Sequence, residues 1–347
     1  MQLHYPNFRR LPIFCTALLL FVISSCSLMQ DDMADCFYGV WVKLEVTADV
    51  QYGGKYSQQS FADNLSEITI WVFDENGIYI NSFKEESATF KQNNTTMHLS
   101  IEPGNYNMLV WTGTDDAYFE VTKPIPGVTR IEEMTVRLRR DSAKRQGNKL
   151  PALWHGRIEN AIVKKQENTY LTIELIKNTN TIITVLNDMS GSPMLSEDYA
   201  FEIIADNGYM DYDNNLLPDD RISYDAYLSE TAVVSDQEDD PVTNLSVARA
   251  ELNTLRLMVD KYSRFVVTNK KTGVKILNID LVQYLLLTRE YYQGSDGLVM
   301  PPQRYLDYED IYRIIFFLSP TGDPVNPFTI TELRINNWII RINNANL

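Results

Sequence analysis

The feature that most constrains this chain is a period-two alternation of apolar and polar residues, repeated in short segments. Val40, Val42, Leu44 and Val46 alternate with Trp41, Lys43, Glu45 and Thr47. Only an extended strand puts such a set on one face. Ile68 to Phe73 is dense in β-branched and aromatic residues, Asp74-Glu75-Asn76-Gly77 supplies turn chemistry, and Ile78-Tyr79-Ile80 returns. That order predicts a hairpin. Met97, Leu99 and Ile101 alternate up to Pro103-Gly104, Tyr106, Met108 and Val110 resume, and Met134, Val136 and Leu138 make another short strand. Leu153-Trp154-His155-Gly156 closes this first block.

A second block of the same kind begins near Tyr170. Strands are expected over Leu171 to Leu175, Ile182 to Leu186, Tyr199 to Ile203 and Leu255 to Val259. Phe265 to Val267 and Val274 to Ile276 flank the turn Asn269 to Gly273, a second hairpin. Tyr312 to Leu318 and Leu333 to Ile342 read as closing strands. Leu281, Tyr284, Leu285 and Thr288 fit helical spacing, so one short helix is expected. Many short strands separated by turn signals predict an all-β chain of β-sandwich type. The expected division is 1–25, 26–36, 37–165 and 166–347: an export signal, a tether and two strand-rich domains.

The first two of those segments follow from Arg9-Arg10, the apolar run Leu11 to Ile23 and the small pair Ser24-Ser25 ahead of Cys26. The run is too short to stay as a membrane-crossing helix, which needs about 20 residues. A cysteine at that position is where a bacterial lipoprotein is acylated. Cys26 is thus expected to begin the mature chain and carry the lipid, with Ser27 to Asp35 as tether. Two or three acyl chains, each burying methylenes at about 0.8 kcal/mol apiece, hold a protein durably. Cys15 falls in the removed segment, which leaves Cys36 without a disulfide partner.

Charge excludes one class of partner. The chain carries 31 basic and 46 acidic residues, a formal charge of −15. Loss of Arg9 and Arg10 with the signal takes this to −17. Nucleic acid binding demands clustered Lys and Arg, so it is not expected. The one basic run, Arg137 to Lys149, reads as a solvated loop, with a protease-sensitive site at Arg140 to Arg145 as the sharper alternative.

Catalytic and ligand motifs are sparse. Asp211-Tyr212-Asp213-Asn214-Asn215 imitates a calcium loop, but Leu216 and Ile222 stand where an EF-hand needs Gly and Glu, so a polar turn is expected. Ser235 to Asp240 reads as a solvated acidic loop. His155, one of two histidines after the signal along with His98, reads as structural. No Gly-rich phosphate loop, CxxC, HExxH or GxSxG occurs. The expectation is no catalytic residue, no metal, no cofactor and no enzyme.

Taken in order, several landmarks resemble the FimB-like anchor-subunit lipoproteins of fimbrillin-type pili. They are Cys26 followed by Asp31 to Cys36, the strand Ile70 to Asp74 with Asn76-Gly77, and Leu153 to Gly156. Next come Leu171 to Lys177 with Asn178-Thr179-Asn180, and Asp211 to Asn215 with Tyr224 downstream. Arg304 to Tyr312 and Ile335 to Trp338 complete the series. The resemblance implies two transthyretin-like β-sandwich domains in tandem behind a lipid tether. It implies a lipid-anchored outer-membrane protein, exposed at the surface, that holds the base of a fimbrium. Its implied partner is a shaft subunit joined by β-strand donation, in which a supplied strand satisfies an open sheet edge. Two alternatives stay open: a tip or stalk adhesin, and a surface glycan-binding lipoprotein. The second predicts an exposed aromatic platform drawn from Trp41, Trp71, Trp111, Trp154 and Trp338.

Overall fold

A computed structural model describes residues 39–46, 67–234 and 245–341. Cys26, Cys36 and the acidic run 235–240 lie outside them. In the first half the strands are β1 (Val40–Val46), β2 (Glu67–Asp74), β3 (Tyr79–Glu86), β4 (Thr96–Leu99), β5 (Gly104–Thr112), β6 (Phe119–Val121), β7 (Thr135–Leu138), β8 (Arg145–Gln146), β9 (Trp154–Val163) and β10 (Thr169–Lys177). A short helix, α1 (Ser87–Gln92), follows β3.

Seven of these strands form one sheet in the order β3-β2-β5-β9-β10-β1-β4. Its two halves meet only where Ile176 and Lys177 pair with His155 and Trp154. There the sheet folds over on itself. Apolar side chains from β2 and β5 (Ile68, Ile70, Val72, Met108, Val110) then pack against those of β1, β4 and β10 (Val40, Val42, Leu44, Leu99, Ile173) in one dry core. Gly156 sits at the fold, where a Cβ would approach the Glu174 carbonyl oxygen to 2.5 Å. The alternation seen in β1 is therefore the inward face of a sandwich, and each inward Val or Leu contributes about 1.5–3 kcal/mol. In the β2–β3 hairpin, the Asp74 carboxylate accepts from the Asn76 and Ile78 N–H groups at 2.9 and 2.8 Å, and Gly77 takes φ +77°.

The second half comprises β11 (Asn180–Asp188), β12 (Tyr199–Ala205), β13 (Tyr209–Asp211), β14 (Ile222–Asp225), β15 (Leu228–Val234), β16 (Leu245–Thr254), β17 (Ser263–Asn269) and β18 (Lys275–Asp280). Helices α2 (Leu281–Leu286) and α3 (Pro302–Tyr308) and strands β19 (Ile311–Pro320), β20 (Phe328–Ile335) and β21 (Trp338–Arg341) complete it. A six-stranded sheet, β15-β16-β11-β19-β20-β21, lies over a five-stranded one, β18-β17-β12-β14-β8. Phe265 and Phe316 stack across the gap, with ring centroids 5.7 Å apart. The helix expected from Leu281 is α2, its first turn capped by Asp280, which accepts from the Gln283 N–H at 3.0 Å.

The all-β class expected from the alternation is the class observed, and three details differ. Leu255, Leu257 and Val259 alternate in sequence but are no strand: Leu255 to Leu257 are all buried, Val259 is exposed, and β16 stops at Thr254. The Leu255 and Arg256 carbonyls instead accept side-chain amides, Asn180 and Asn207 for the first and Asn207 for the second, so no ladder forms. The closing segment, described as far as Arg341, is a hairpin, β20–β21, turned at Asn336 with φ +53°. The short helices α1 and α3, of six and seven residues, carry no apolar period long enough to predict them.

Where one sandwich ends is visible in the pairing. β10, which lies beyond residue 165, pairs in parallel with β1 from Val40↔Thr169 to Val46↔Leu175. The chain leaves this sheet at Asn178. Two short strands cross the other way: β7 pairs with β13, and β8 pairs in parallel with β14. Trp71, Phe73, Leu109 and Trp111, on the outer side of β2 and β5, accordingly join the same apolar cluster as Ile182, Phe201 and Phe316.

Candidate functional site

The residues that stood out in the sequence converge on the junction between the two sandwiches. Asn178 is fully buried. Its amide exchanges two hydrogen bonds with that of Asn214, at 2.6 and 3.0 Å, and its N–H donates to Leu153 O at 2.7 Å. Thr179 Oγ1 accepts from the Leu153 N–H and donates to Pro151 O. Asn207 Nδ2 reaches Thr254, Leu255 and Arg256, and its oxygen accepts from the buried Tyr224 hydroxyl at 2.7 Å. Burial drives that hydroxyl's pKa up.

Arg256 completes the cluster. Its guanidinium grips Asp307 of α3 in a two-pronged ion pair, at 2.8 Å on each side, and also donates to the Asn214 carbonyl. Lys177 pairs with the buried Asp310 just before β19, and Glu309 accepts from the Tyr292 hydroxyl at 2.7 Å. The run Arg304 to Tyr312 is thus a set of struts. It offers no exposed recognition loop.

His155 belongs to the same region. It is buried on β9, 5.9 Å from the Trp111 ring, and its Nε2–H donates to Tyr212 O at 2.9 Å. Burial, reinforced by Arg256 and Arg157, pulls its pKa down to about 4, only partly opposed by the Tyr212 hydrogen bond. It is a neutral structural imidazole at pH 7, as its sequence context suggested. The Asp211 to Asn215 segment is the polar turn expected: Asp211 Oδ1 accepts from the Asp213 and Asn215 N–H groups, and the Asn214 side chain points inward. Among the described residues no group of three or more His, Cys, Asp or Glu side chains is placed to hold a metal ion.

The basic run is largely the exposed loop expected, but its charges are paired rather than free. Arg140 closes on Asp219 with both terminal nitrogens at 2.6 Å, and Arg137 adds a third contact at 2.6 Å. Lys144 pairs with Asp220, and Arg145 with Asp225 and Glu202. These acids stand on β12, on β14 and in the β13–β14 connection, all in the second half. The Arg140 and Arg137 hydrogen bonds hold the Asp219 carboxyl below the usual carboxylate range despite the opposing desolvation. In sequence the run shows only charge; its partners lie some eighty residues downstream.

Three tryptophans named for a glycan platform, Trp71, Trp111 and Trp154, are core. Trp41 and Trp338 are half-buried, stacked on Tyr170 and Tyr291 with centroids 5.4 and 3.9 Å apart.

The described residues form a two-lobed β architecture tied by buried polar struts. The family described as Mfa2, Fimbrillin-A associated anchor proteins Mfa1 and Mfa2, matches residues 33–344, and the chain belongs to this family of fimbrial anchors. Among solved structures it is similar to a proposed adhesin from Bacteroides thetaiotaomicron (31% identity, TM-score 0.75, covering 89% of this chain and 99% of that one). A proposed polysaccharide-binding protein from the same organism is 28% identical, with TM-score 0.74 and coverage of 89% and 100%. The fimbrial anchor protein Mfa2 from Porphyromonas gingivalis shares the fold at 20% identity, TM-score 0.64, with coverage of 88% and 99%. No curated protein matches the chain. Family membership gives a cell-surface, fimbrial location and a fimbrial subunit as partner.

Proposed function

We propose that this protein is the lipid-anchored base of a fimbrium: a non-catalytic outer-membrane lipoprotein, acylated at Cys26, that joins the shaft subunit by strand exchange. The observation that carries the reading is the anchor-family match over nearly the whole chain. The junction supports it, because two sandwiches held by buried hydrogen bonds and ion pairs suit a part that bears load. The division between domains then falls at Asn178 to Asn180, with residues 26–36 as the tether. Among the described residues, β3 and β4 are the outermost strands of the first sheet and β15 and β21 of the second, the candidate edges for strand addition. Deleting the gene tests the reading: fimbriae are expected to be shed into the medium, and normally attached fimbriae would sink it. Palmitate labelling of wild type against Cys26→Ala tests acylation separately.

A surface adhesin of the same fold is the second reading, favoured by the 31% identical relative. It predicts that the purified protein binds a host or bacterial ligand without the shaft subunit. A shaft subunit that co-purifies with the acylated protein, with no binding on a glycan array, decides for the anchor.

A further inference from the structure

One surface of the first sandwich is left over by the anchor and its junction. In register across three strands, Trp41 of β1 stands opposite Tyr170 of β10 on one side and His98 of β4 on the other. The rings make a row, with centroids 5.4 Å apart for Trp41–Tyr170 and 4.8 Å for Trp41–His98. Alternation puts the row outside: the intervening residues Val40, Val42, Leu99 and Ile173 are core, while Tyr170 is 72% exposed.

The row's place in the fold is specific. The chain enters the sandwich at Gly39, whose carbonyl accepts from the Thr169 N–H at 3.1 Å. A Cβ on Gly39 would collide with the Trp41 and His98 rings, so the entering chain passes against the row. From this end β1 and β10 run side by side in the same direction. At the far end of β10, Lys177 and Asn178 engage the second sandwich. The nine residues of β10 make eight steps between the two ends, about 26 Å. The row therefore marks the tether end of the molecule, away from the second lobe.

We propose that Tyr170, Trp41 and His98 form a membrane-docking face that seats the tether end of the first sandwich in the headgroup layer of the bilayer. This rests on the lipid-anchor reading of Cys26. The thirteen residue steps from Cys26 to Gly39 reach at most about 45 Å, so the acyl chains keep this end close to the surface. Trp and Tyr, with apolar rings and a polar N–H or O–H, partition to the membrane interface. A chain of charge −15 is repelled from an anionic surface, so a face that docks by rings rather than by lysines is the one its composition permits. Docking would turn an anchored lobe into an oriented base, with the second lobe pointed outward.

The test uses the acylated protein in phosphatidylcholine vesicles carrying headgroup-proximal brominated lipid, with tryptophan fluorescence as readout. Wild type is expected to be quenched, and Trp41→Phe to lose more than about half of that quenching, since Trp71, Trp111 and Trp154 are core. Tyr170→Glu, at an exposed position, is expected to reduce it likewise and covers the case in which Trp41→Phe folds poorly. A parallel arm holds the chain from residue 27 on nickel-chelating lipid by an N-terminal histidine tag. If the acylated protein fails to float with vesicles, the anchor reading falls, and the tagged arm alone decides docking. If the protein is held at vesicles in either way and quenching is the same in wild type and Trp41→Phe, docking is overturned and the anchor stands. Emission that ignores brominated lipid but shifts on adding polysaccharide would make the occupant a glycan, and the proposal would fail.

Discussion

The two regions that tie the sandwiches together are built on opposite principles. The junction around Asn178, Asn207, Asn214 and Arg256 is buried, and most of its members are uncharged amides and carbonyls. The clasp between Arg137–Arg145 and Asp219–Asp225 is charged and, apart from Arg140 and Asp219, half-exposed. Buried polar groups are costly to leave unpaired, at about 1–3 kcal/mol for a neutral group and more for a charge. Exposed ion pairs add about 0–1 kcal/mol because water and salt compete. The junction is therefore expected to determine whether the halves stay together, and the clasp to fix how the β7–β8 segment lies.

Four experiments break or sharpen this contrast, from the largest effect down. Arg256→Ala strips Asp307 of its two-pronged partner and the Asn214 carbonyl of a donor. A loss of about 3–5 kcal/mol is expected in urea unfolding, and a loss below about 1 kcal/mol would show the junction to be dispensable. His155 comes next. Its pKa is about 4 when folded, against an ordinary value of 6.5. The unfolded chain binds the proton more readily, so this contribution is complete above pH 6.5 and is lost as the pH falls toward 4. The drop is about 3 kcal/mol at most, from 1.36 kcal/mol per unit. His155→Gln should flatten that part of the stability profile.

Asp219→Ala leaves Arg140 without its main partner. A loss of about 1–3 kcal/mol is expected, with new trypsin cleavage at Arg140. In the wild type that site should resist, because the Arg140 side chain is 10% exposed and β8 is paired with β14. Equal cleavage in both proteins would show that the Asp219 clasp does not hold the loop. Lys144→Ala, at the exposed Lys144–Asp220 pair, should cost less than about 1 kcal/mol, measured by thermal melting in low and high salt.

Much of the fold could be read from local order. The strands β1, β2, β5, β11, β12 and β19 and the β2–β3 and β17–β18 turns were visible because period-two burial and turn chemistry act over a few residues. His155 and the Asp211–Asn215 turn were likewise read correctly as structural. Leu255 to Val259 differs for a physical reason: apolar residues stand at alternate positions there, yet amide side chains replace the sheet partner. The basic run is the exposed loop its sequence suggests, but its pairing was hidden because charge alone carries no record of a carboxylate placed about eighty residues away.

What the sequence determined by itself is the all-β class, the short-strand grammar and, through its ordered landmarks, the anchor family. Those properties arise from neighbouring residues. Tertiary structure alone decided that β10 belongs with β1, that Asn178, Asn214, Asn207 and Arg256 form one junction, and that Trp41 lies between Tyr170 and His98 at the tether end. Each depends on segments far apart in the chain meeting in register, and no local pattern encodes which of the many compatible strands will be the neighbour.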